Sequence, residues 1–340
     1  MQIKKPMLRL LFIFGIPLIL ISIFSIQFGA KSLSVSEVLN ILMGGEASKF
    51  NQQIIELRIY RTIFGILAGM ALSTSGLLMQ IVTHNSMADP SLLGVNMGAF
   101  LSIMLASYFL NVTSGIAYIV VAFLGGFLTA IVVYGFSNIG RQRATPIKLI
   151  LVGTLVNMIL STFISILILM IPNFMDRYRF WQVGSIGGRD LADIFSFLPL
   201  VFSTILISIL LVPSFEAMRF GDEKAQSLGL SPFALRTIAI MTSVLLASAT
   251  TAFAGPIGFV GLVIPHLVKQ FVGHSMKLMM LFTPLAGAIM LVFSDALGRV
   301  LGSPGEVDVG IMTGIIGGPL FIYFIYRSSH RVKNEVINHV

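Results

Sequence analysis

The residues best suited to bind a partner lie in one charged segment, residues 214–232, between two long apolar stretches. Two glycines, Gly221 and Gly229, bracket a run that begins with Asp222 and Glu223. Acidic residues stabilise the first turn of a helix and glycine favours helix ends, so the run predicts a short helix between the glycines. Its charges would suit the binding of another protein, although a simple amphipathic connector has the same spacing.

Residues for catalysis or metal binding form no recognisable cluster. The chain has no cysteine, and its five histidines are dispersed. No G-x-x-x-x-G-K-[ST] sequence is present, so we do not expect the chain to hold ATP phosphates in such a loop. His266 follows Pro265, a position that favours hydrogen bonding at a helix end over metal ligation. We therefore predict a non-enzymatic protein with no metal site and no bound cofactor of its own.

The composition predicts an integral membrane protein. Of the 340 residues, 56% are hydrophobic and 11% are charged, and the mean hydropathy is +0.94. Soluble domains contain about 25% charged residues, and a soluble core of this size could not bury so much apolar surface. The net charge is +8, but the basic residues form short clusters between apolar stretches, which favours a lipid bilayer over nucleic acid as the partner.

Ten apolar stretches are suited to cross a hydrocarbon core about 30 Å thick. We predict an all-α fold in which residues 1–340 form a single transmembrane domain. A basic segment precedes the first stretch, as in a signal peptide, but no clear cleavage site follows it, which favours a retained helix. The predicted spans are 8–28, 58–82, 92–110, 114–136, 147–171, 192–213, 233–254, 257–272, 279–302 and 308–327.

The distribution of basic residues predicts the orientation. Ten spans place both termini on one side of the membrane. That side holds 14 of the 22 Lys and Arg residues, and the other side holds the remaining 8. Cytoplasmic loops carry the excess of Lys and Arg, so both termini and the segment 214–232 are predicted to be cytoplasmic.

The centres of nearly all spans contain no ionisable residue. Ion-coupled transporters and pumps usually keep such residues within the bilayer to carry the coupling charge. This pattern disfavours an ion-coupled secondary transporter and favours energy that arrives mechanically from another protein. A structural or signalling membrane protein is a third class, in which the charged inner segment would have no evident purpose.

On the outer side, residues 173–190 predict a short interfacial helix. Trp181 lies in this segment, as is common for aromatic residues at a membrane interface. Arg177, Arg179 and Arg189 add positive charge there. We hypothesise that these arginines favour an anionic ligand or an acidic partner protein.

Ordered motifs are spread over nearly the whole chain, in addition to the charged segment 214–232. They are Leu57–Arg61, Ala68–Leu72, Ser75–Gln80, Asn85–Pro90, Leu93–Ala99, Gly255–Gly261, Pro265–His266, Ser294–Asp295, Glu306–Gly310 and Gly318–Pro319. Together these motifs resemble the FecCD-type permeases, the bacterial importers of iron–siderophores, haem and vitamin B12. One departure is Ser86, where the family has proline, so this inner turn should be less rigid.

The resemblance implies a type II ABC importer in a bacterial inner or plasma membrane. Two permeases, identical or paralogous, would form a dimer above two cytoplasmic ATPases that bind ATP and Mg, with an extracytoplasmic substrate-binding protein as receptor. Arg58, Arg61 and Arg299 match positions that dock the receptor, although interfacial placement alone would also explain them. The ATPase contact would comprise Arg219, Gly221, Asp222, Glu223, Ala225, Leu228 and Gly229.

The transport pathway and the cargo are less closely specified. The resemblance places the pathway between the two permeases, with Thr145 near an inner gate and Asn157 facing the lumen. An interhelical hydrogen bond would explain Asn157 equally well. A ferric siderophore is the expected cargo, and haem or cobalamin carried by the same machine is the alternative.

Overall fold

The structure is a computed structural model that describes residues 4–29, 33–45, 48–112, 115–137, 139, 146–171, 175 and 181–338. The described residues form helices and connecting turns and contain no strand, which confirms the predicted all-α fold. The α-helices are α1 (Lys4–Gln27), α2 (Val35–Leu42), α3 (Lys49–Thr83), α4 (Val95–Phe109), α5 (Gly115–Ser137), α6 (Pro146–Met170), α7 (Leu191–Leu210), α8 (Val212–Met218), α9 (Asp222–Ser227), α10 (Pro232–Ala254), α11 (Val260–Val272), α12 (Met276–Leu301) and α13 (Val309–Asn338).

Each of the ten predicted spans corresponds to a helix. Seven helices are long and apolar enough to cross a membrane by length and composition. The other three apolar helices are shorter: α4, α11 and the Val309–Phe324 part of α13. A helix satisfies its own backbone hydrogen bonds, so apolar sequences of this length are stable in lipid only in this form or as closed barrels.

Local backbone breaks explain why α4 and α11 are short. The 3₁₀ turn Pro90–Leu93 takes the start of the predicted third span, and Gly94 then adopts a φ of 73° before α4 begins. Residues between α10 and α11 leave the helical conformation, with φ values of 72° at Gly255 and 68° at Phe259. Glycine adopts a positive φ without steric cost, and this allows the chain to turn at both places.

The long helix α3 is the centre of the bundle. It packs along α12, α10 and α11, and most of its side chains between Thr62 and Met79 are buried. Gly69 lies against Gly287 of α12, and Gly76 lies against Gly261 of α11. A Cβ atom at Gly69 or Gly76 would overlap the facing backbone, so these glycines permit the close approach of the helices.

Three of the glycine pairs that are four residues apart in the sequence, a spacing that lets helices approach closely, have different surroundings. Gly65 and Gly69 face side chains and backbone within the same chain, as do Gly94 and Gly98. The pair Gly314–Gly318 differs, because Gly318 faces open space in the described part of the chain. Packing within the bundle therefore explains the first two pairs, and association between subunits stays open for the third.

Two helices leave most of their apolar surface uncovered. In α1 and in α6, only 11% of the most apolar 18-residue stretch is buried. In α6 the exposed side chains include Leu151, Leu155 and Met158, each 60% exposed. Such surface requires lipid or another apolar protein surface around it.

Candidate functional site: an inner surface and an outer charge network

The charged segment 214–232 folds into the short helices α8 and α9 and the start of α10. The predicted helix between Gly221 and Gly229 is observed as α9, with Asp222 and Glu223 in its first turn. Ala225 is fully buried and belongs to an apolar cluster that also contains Phe215 and Met218 of α8 and Met280 of α12. Burial of this single side chain holds α9 against the bundle and leaves its other faces exposed.

The exposed face of this region combines apolar and charged side chains. We call Phe220, Glu223, Lys224, Leu228 and Phe233 the coupling surface. Phe220 is 71% exposed, Leu228 69% and Phe233 81%, and Glu223 and Lys224 are also exposed. Large apolar side chains beside charges at the end of a bundle are typical of a protein-binding surface.

The seven residues predicted to contact an ATPase fall into three groups: exposed, buried, and bonded to other parts of the chain. Gly221, Glu223, Leu228 and Gly229 are exposed, as contact with another protein requires, and their contact with an ATPase stays a prediction. Ala225 does not fit, because its fully buried side chain cannot reach another protein, and we assign it to anchoring α9 instead. The remaining two, Arg219 and Asp222, are engaged within the chain.

Two polar contacts tie this region to neighbouring helices. The guanidinium of Arg236, on α10, donates two hydrogen bonds to the carboxylate of Asp222, at 2.8 and 2.9 Å. Arg219 donates from Nη1 to the backbone carbonyl of His274 at 2.9 Å, in the turn between α11 and α12. Arg236 was not among the residues predicted from the sequence, because no local spacing pairs it with a residue 14 positions earlier.

At the opposite end of the bundle, Arg61 lies in a network of charges. Its Nε and Nη2 atoms donate to Asp295 of α12 at 2.8–3.1 Å, and its Nη1 donates to Glu306 at 2.6 Å. Asp295 is 1% exposed, whereas the side chain of Glu306 is 43% exposed. A second guanidinium reaches the same carboxylate, since Arg299 Nε lies 3.1 Å from Asp295 Oδ2.

Arg58 and Arg299 hold the outer end of α1. Arg58 donates to the carbonyls of Ile26 and Gln27 at 3.0 and 2.9 Å. Arg299 donates to the Phe28 carbonyl at 3.1 Å and to the Ser25 hydroxyl at 2.7 Å. The last carbonyls of a helix have no partner within the helix and carry partial negative charge, so these guanidinium groups stabilise the end of α1.

These contacts change the expectation for the outer arginines. Arg58 is 8% exposed and Arg299 2% exposed, and both donate hydrogen bonds inside the chain. Arg61 pairs with the half-exposed carboxylate of Glu306, which another acidic group could replace. Receptor docking by these three residues stays a prediction, and for Arg58 and Arg299 it requires release of the observed contacts.

Asn157 is partly buried and turns its side-chain oxygen toward the bundle. The Oδ1 atom lies near Gly94, just before α4, and is buried without a hydrogen-bond partner among the described residues. The exposed side of α6 carries the hydroxyls of Thr154, Thr162 and Ser165, which bond to carbonyls of their own helix at 2.8 Å. Thr145, the predicted gate residue, lies outside the described residues.

The outer basic residues are described only in part. Arg189 pairs with Asp193 in the first turn of α7 at 3.7 Å, and its Nε atom is buried without a partner in the described part of the chain. Arg177 and Arg179 lie outside the described residues, as does most of the predicted interfacial helix 173–190. Residues 181–183 are helical and precede the loop that leads to α7.

No cluster of three or more His, Asp or Glu side chains suited to a metal ion occurs within the described ranges. His266 lies in α11, and its Nε2 atom is 2.6 Å from the carbonyl oxygen of Ser86. This contact joins α11 to the turn after α3. His266 thus forms a hydrogen bond as predicted, but from the middle of α11 and not from a helix end.

Two acidic residues of the outer network were not identified as site residues from the sequence. Asp295 has a local signal, because it precedes Arg299 by four residues and the two share one face of α12. Glu306 has no such signal, since Arg61 is 245 positions earlier in the chain. Asp295 also places a buried charge in the last two turns of α12, away from the centre of the predicted span.

Comparisons of the sequence and of the structure with known proteins both identify transport proteins as relatives. The chain is 35% identical over 326 residues to the Fe(3+)-citrate import system permease protein YfmD of Bacillus subtilis (strain 168), with 95% of this chain and 94% of the relative covered. It is 33% identical over 312 residues to the ferric enterobactin transport system permease protein FepD of Escherichia coli (strain K12), with 92% and 93% covered.

A solved structure of a transporter assigned to the metal-chelate ABC type, in an inward-facing conformation, has a similar fold. The TM-score is 0.78 at 26% identity, and the match covers 94% of this chain and 98% of the solved chain. The FecCD transport family matches residues 17–327. From the ten apolar helices, the inner and outer sites and these matches together, we conclude that this chain is a membrane-spanning member of the FecCD transport family.

Proposed function

We propose that this chain is the permease subunit of an ATP-driven importer of ferric siderophores in a bacterial cell membrane. Membership of the FecCD transport family supports a permease, and the functions of two relatives, import of ferric citrate and of ferric enterobactin, support the cargo. Haem or cobalamin, carried by the same machine, is the alternative cargo.

The observation that carries the mechanism is the coupling surface at the predicted cytoplasmic end. Phe220, Leu228 and Phe233 expose apolar side chains beside Glu223 and Lys224. The chain has no phosphate-binding loop of its own, so hydrolysis is assigned to a separate ATPase that binds ATP and Mg. Docking of that ATPase would bury these apolar side chains and bring the mechanical work to α9.

The pathway is proposed to lie between two permease subunits, identical or paralogous. The exposed side of α6 carries three hydroxyls among large apolar side chains. Hydroxyls that bond to their own helix are tolerated in lipid and can also face a polar cargo without leaving a partner unpaired. We assign this exposed side of α6 to the pathway; Asn157 lies at its edge, with its side-chain oxygen buried toward the bundle.

The outer network is proposed to meet the extracytoplasmic binding protein through Arg61. An acidic side chain of that protein would compete with the half-exposed Glu306 for the same guanidinium. Such charge pairing governs the rate and orientation of encounter more than the total affinity.

A transport assay tests the whole proposal. The permease is co-expressed with the ATPase and the binding protein of an iron importer from the same organism, purified and placed in proteoliposomes. ATP-dependent uptake of ferric citrate or ferric enterobactin is expected, and uptake of haem or cobalamin alone would reverse the assignment of cargo. Absence of ATP-dependent uptake of all four compounds would overturn the proposal.

A variant of the coupling surface tests the ATPase contact. Leu228→Asp places a charge on an exposed apolar position and should lower the amount of ATPase that co-purifies about tenfold, since a buried unpaired charge is costly at an interface. Met43→Asp is the matched control, because Met43 is 83% exposed at the opposite end of the bundle. Equal co-purification of both variants with the ATPase would exclude this surface.

A further inference from the structure

The short helix α9 is attached to its neighbours along the chain by two glycine joints. Gly221 has a φ of 104° and Gly229 a φ of 78°, and no atom lies within 4 Å of the Cβ position at either residue. Glycine at such positions permits more backbone freedom than any other residue. The main chain alone therefore couples the movement of α9 only weakly to that of the membrane helices.

Side-chain contacts supply the connection that the joints do not. The carboxylate of Asp222, at the start of α9, accepts two hydrogen bonds from Arg236 of α10. Arg236 lies in the second turn of a 23-residue helix that runs to Ala254, at the opposite end of the bundle. A planar guanidinium bound to both carboxylate oxygens restricts the angle between its partners as well as their distance.

A second contact restrains the end of α8, two residues before the first joint. Arg219 donates to the His274 carbonyl, in the turn that connects α11 to α12. The segment is thus held to the α11–α12 turn before Gly221 and to α10 after it, and the buried Ala225 holds α9 against the core. A displacement of α9 would reach α10 through the contact between Asp222 and Arg236.

We infer that Arg236 is a positioning residue that transmits the movement of α9 to α10, while Arg219 holds the end of α8 in place on the other side of the first joint. This inference rests on the proposed function, because it supposes that an ATPase moves α9. It changes the role expected for Arg219 and Asp222, whose polar groups bind within the permease, and it gives Arg236 a role that its own surroundings in the sequence do not indicate.

The physical part of the inference is tested on the permease in detergent or lipid, without the ATPase. The chain has no cysteine, so Gln226→Cys introduces a single site for a nitroxide spin label on the exposed side of α9. Arg236→Ala should raise the mobility of the label. Exchange of the two charges, Asp222→Arg with Arg236→Asp, should restore part of the order, whereas Lys277→Ala, which removes another exposed inner charge, should change nothing.

The functional part is tested in the complete importer in proteoliposomes. Arg236→Ala should leave ATPase co-purification intact and lower the amount of ferric citrate or ferric enterobactin transported per ATP hydrolysed about fivefold. Arg236→Lys, which keeps the charge but loses the two-pronged contact, should be intermediate, and the charge exchange should recover part of the ratio. A general loss of folding would lower assembly and hydrolysis as well, and so would be recognised.

The outcomes separate this inference from the proposed function. An unchanged label mobility in Arg236→Ala would overturn the restraint of α9, and a higher mobility with an unchanged transport ratio would overturn its role in transmission. Failure of the unaltered permease to bind an ATPase or to transport would instead overturn the proposed function, while the mobility result would still stand.

Discussion

Replacement of Asp295 by asparagine removes the charge that two buried guanidinium groups share. Arg61 donates to this carboxylate at 2.8 Å and Arg299 lies 3.1 Å from it, and the carboxylate is 1% exposed. Asparagine is of nearly equal size, so the packing of α12 is kept while the negative charge is lost. Arg299, itself 2% exposed, is then left without its only carboxylate partner among the described residues.

The expected loss follows from burial. Removal of one partner from a buried ion pair costs about 3–5 kcal/mol, because the other charge stays away from water without compensation. Glu306→Gln is the matched control, since Glu306 binds the same Arg61 at 2.6 Å but its side chain is 43% exposed. An exposed pair contributes about 0–1 kcal/mol, so this variant should lose much less stability.

Unfolding of the purified variants in mixed detergent micelles measures both losses on one scale. We expect Asp295→Asn to be the less stable variant by at least about 2 kcal/mol in the free energy of unfolding. Replacement of both Asp295 and Arg299 by leucine should cost less than the sum of the two single replacements, because no unpaired charge is left between them. Equal losses for Asp295→Asn and Glu306→Gln would refute the argument from burial.

Three further predictions concern other parts of the chain. Gly76→Ala should destabilise the protein by about 1–3 kcal/mol, because the added Cβ would overlap the backbone of Gly261. Gly15→Ala, at an open position of α1, should leave the stability unchanged. Unfolding in mixed micelles measures the free energy of unfolding of both variants. Ser165→Ala, on the exposed side of α6, should alter the uptake rate and leave the stability unchanged. Ser203→Ala, which replaces another exposed serine on α7, should alter neither the uptake rate nor the stability. Identical uptake by both variants would exclude this side of α6 from the pathway. Neutralising Arg177, Arg179 and Arg189 together should weaken uptake of an anionic ferric siderophore and binding of the receptor, and unchanged values of both would reject the hypothesis of an outer anionic or acidic partner.

The spans could be predicted from the sequence because, in lipid, the formation of each helix depends mainly on its own residues. Each helix satisfies its own backbone, so about 20 apolar residues are enough to predict one. Local signals also predicted α9. Gly221 and Gly229 lie on either side of it, and the acidic residues Asp222 and Glu223 occupy its first turn. The limits of α4 and α11 could not be predicted as well, because they depend on positive φ values at Gly94 and Phe259, and phenylalanine gives no local sign of such a conformation.

The roles of the charged residues required the tertiary structure. The sequence by itself determined a polytopic helical protein with a charged inner segment, and its motifs indicated the family. It could not show that Arg61 binds Asp295, 234 positions away, or that Arg236 binds Asp222. A side chain pairs with whatever the folded bundle brings within about 3 Å of it, and spacing along the chain determines that distance only within a single helix.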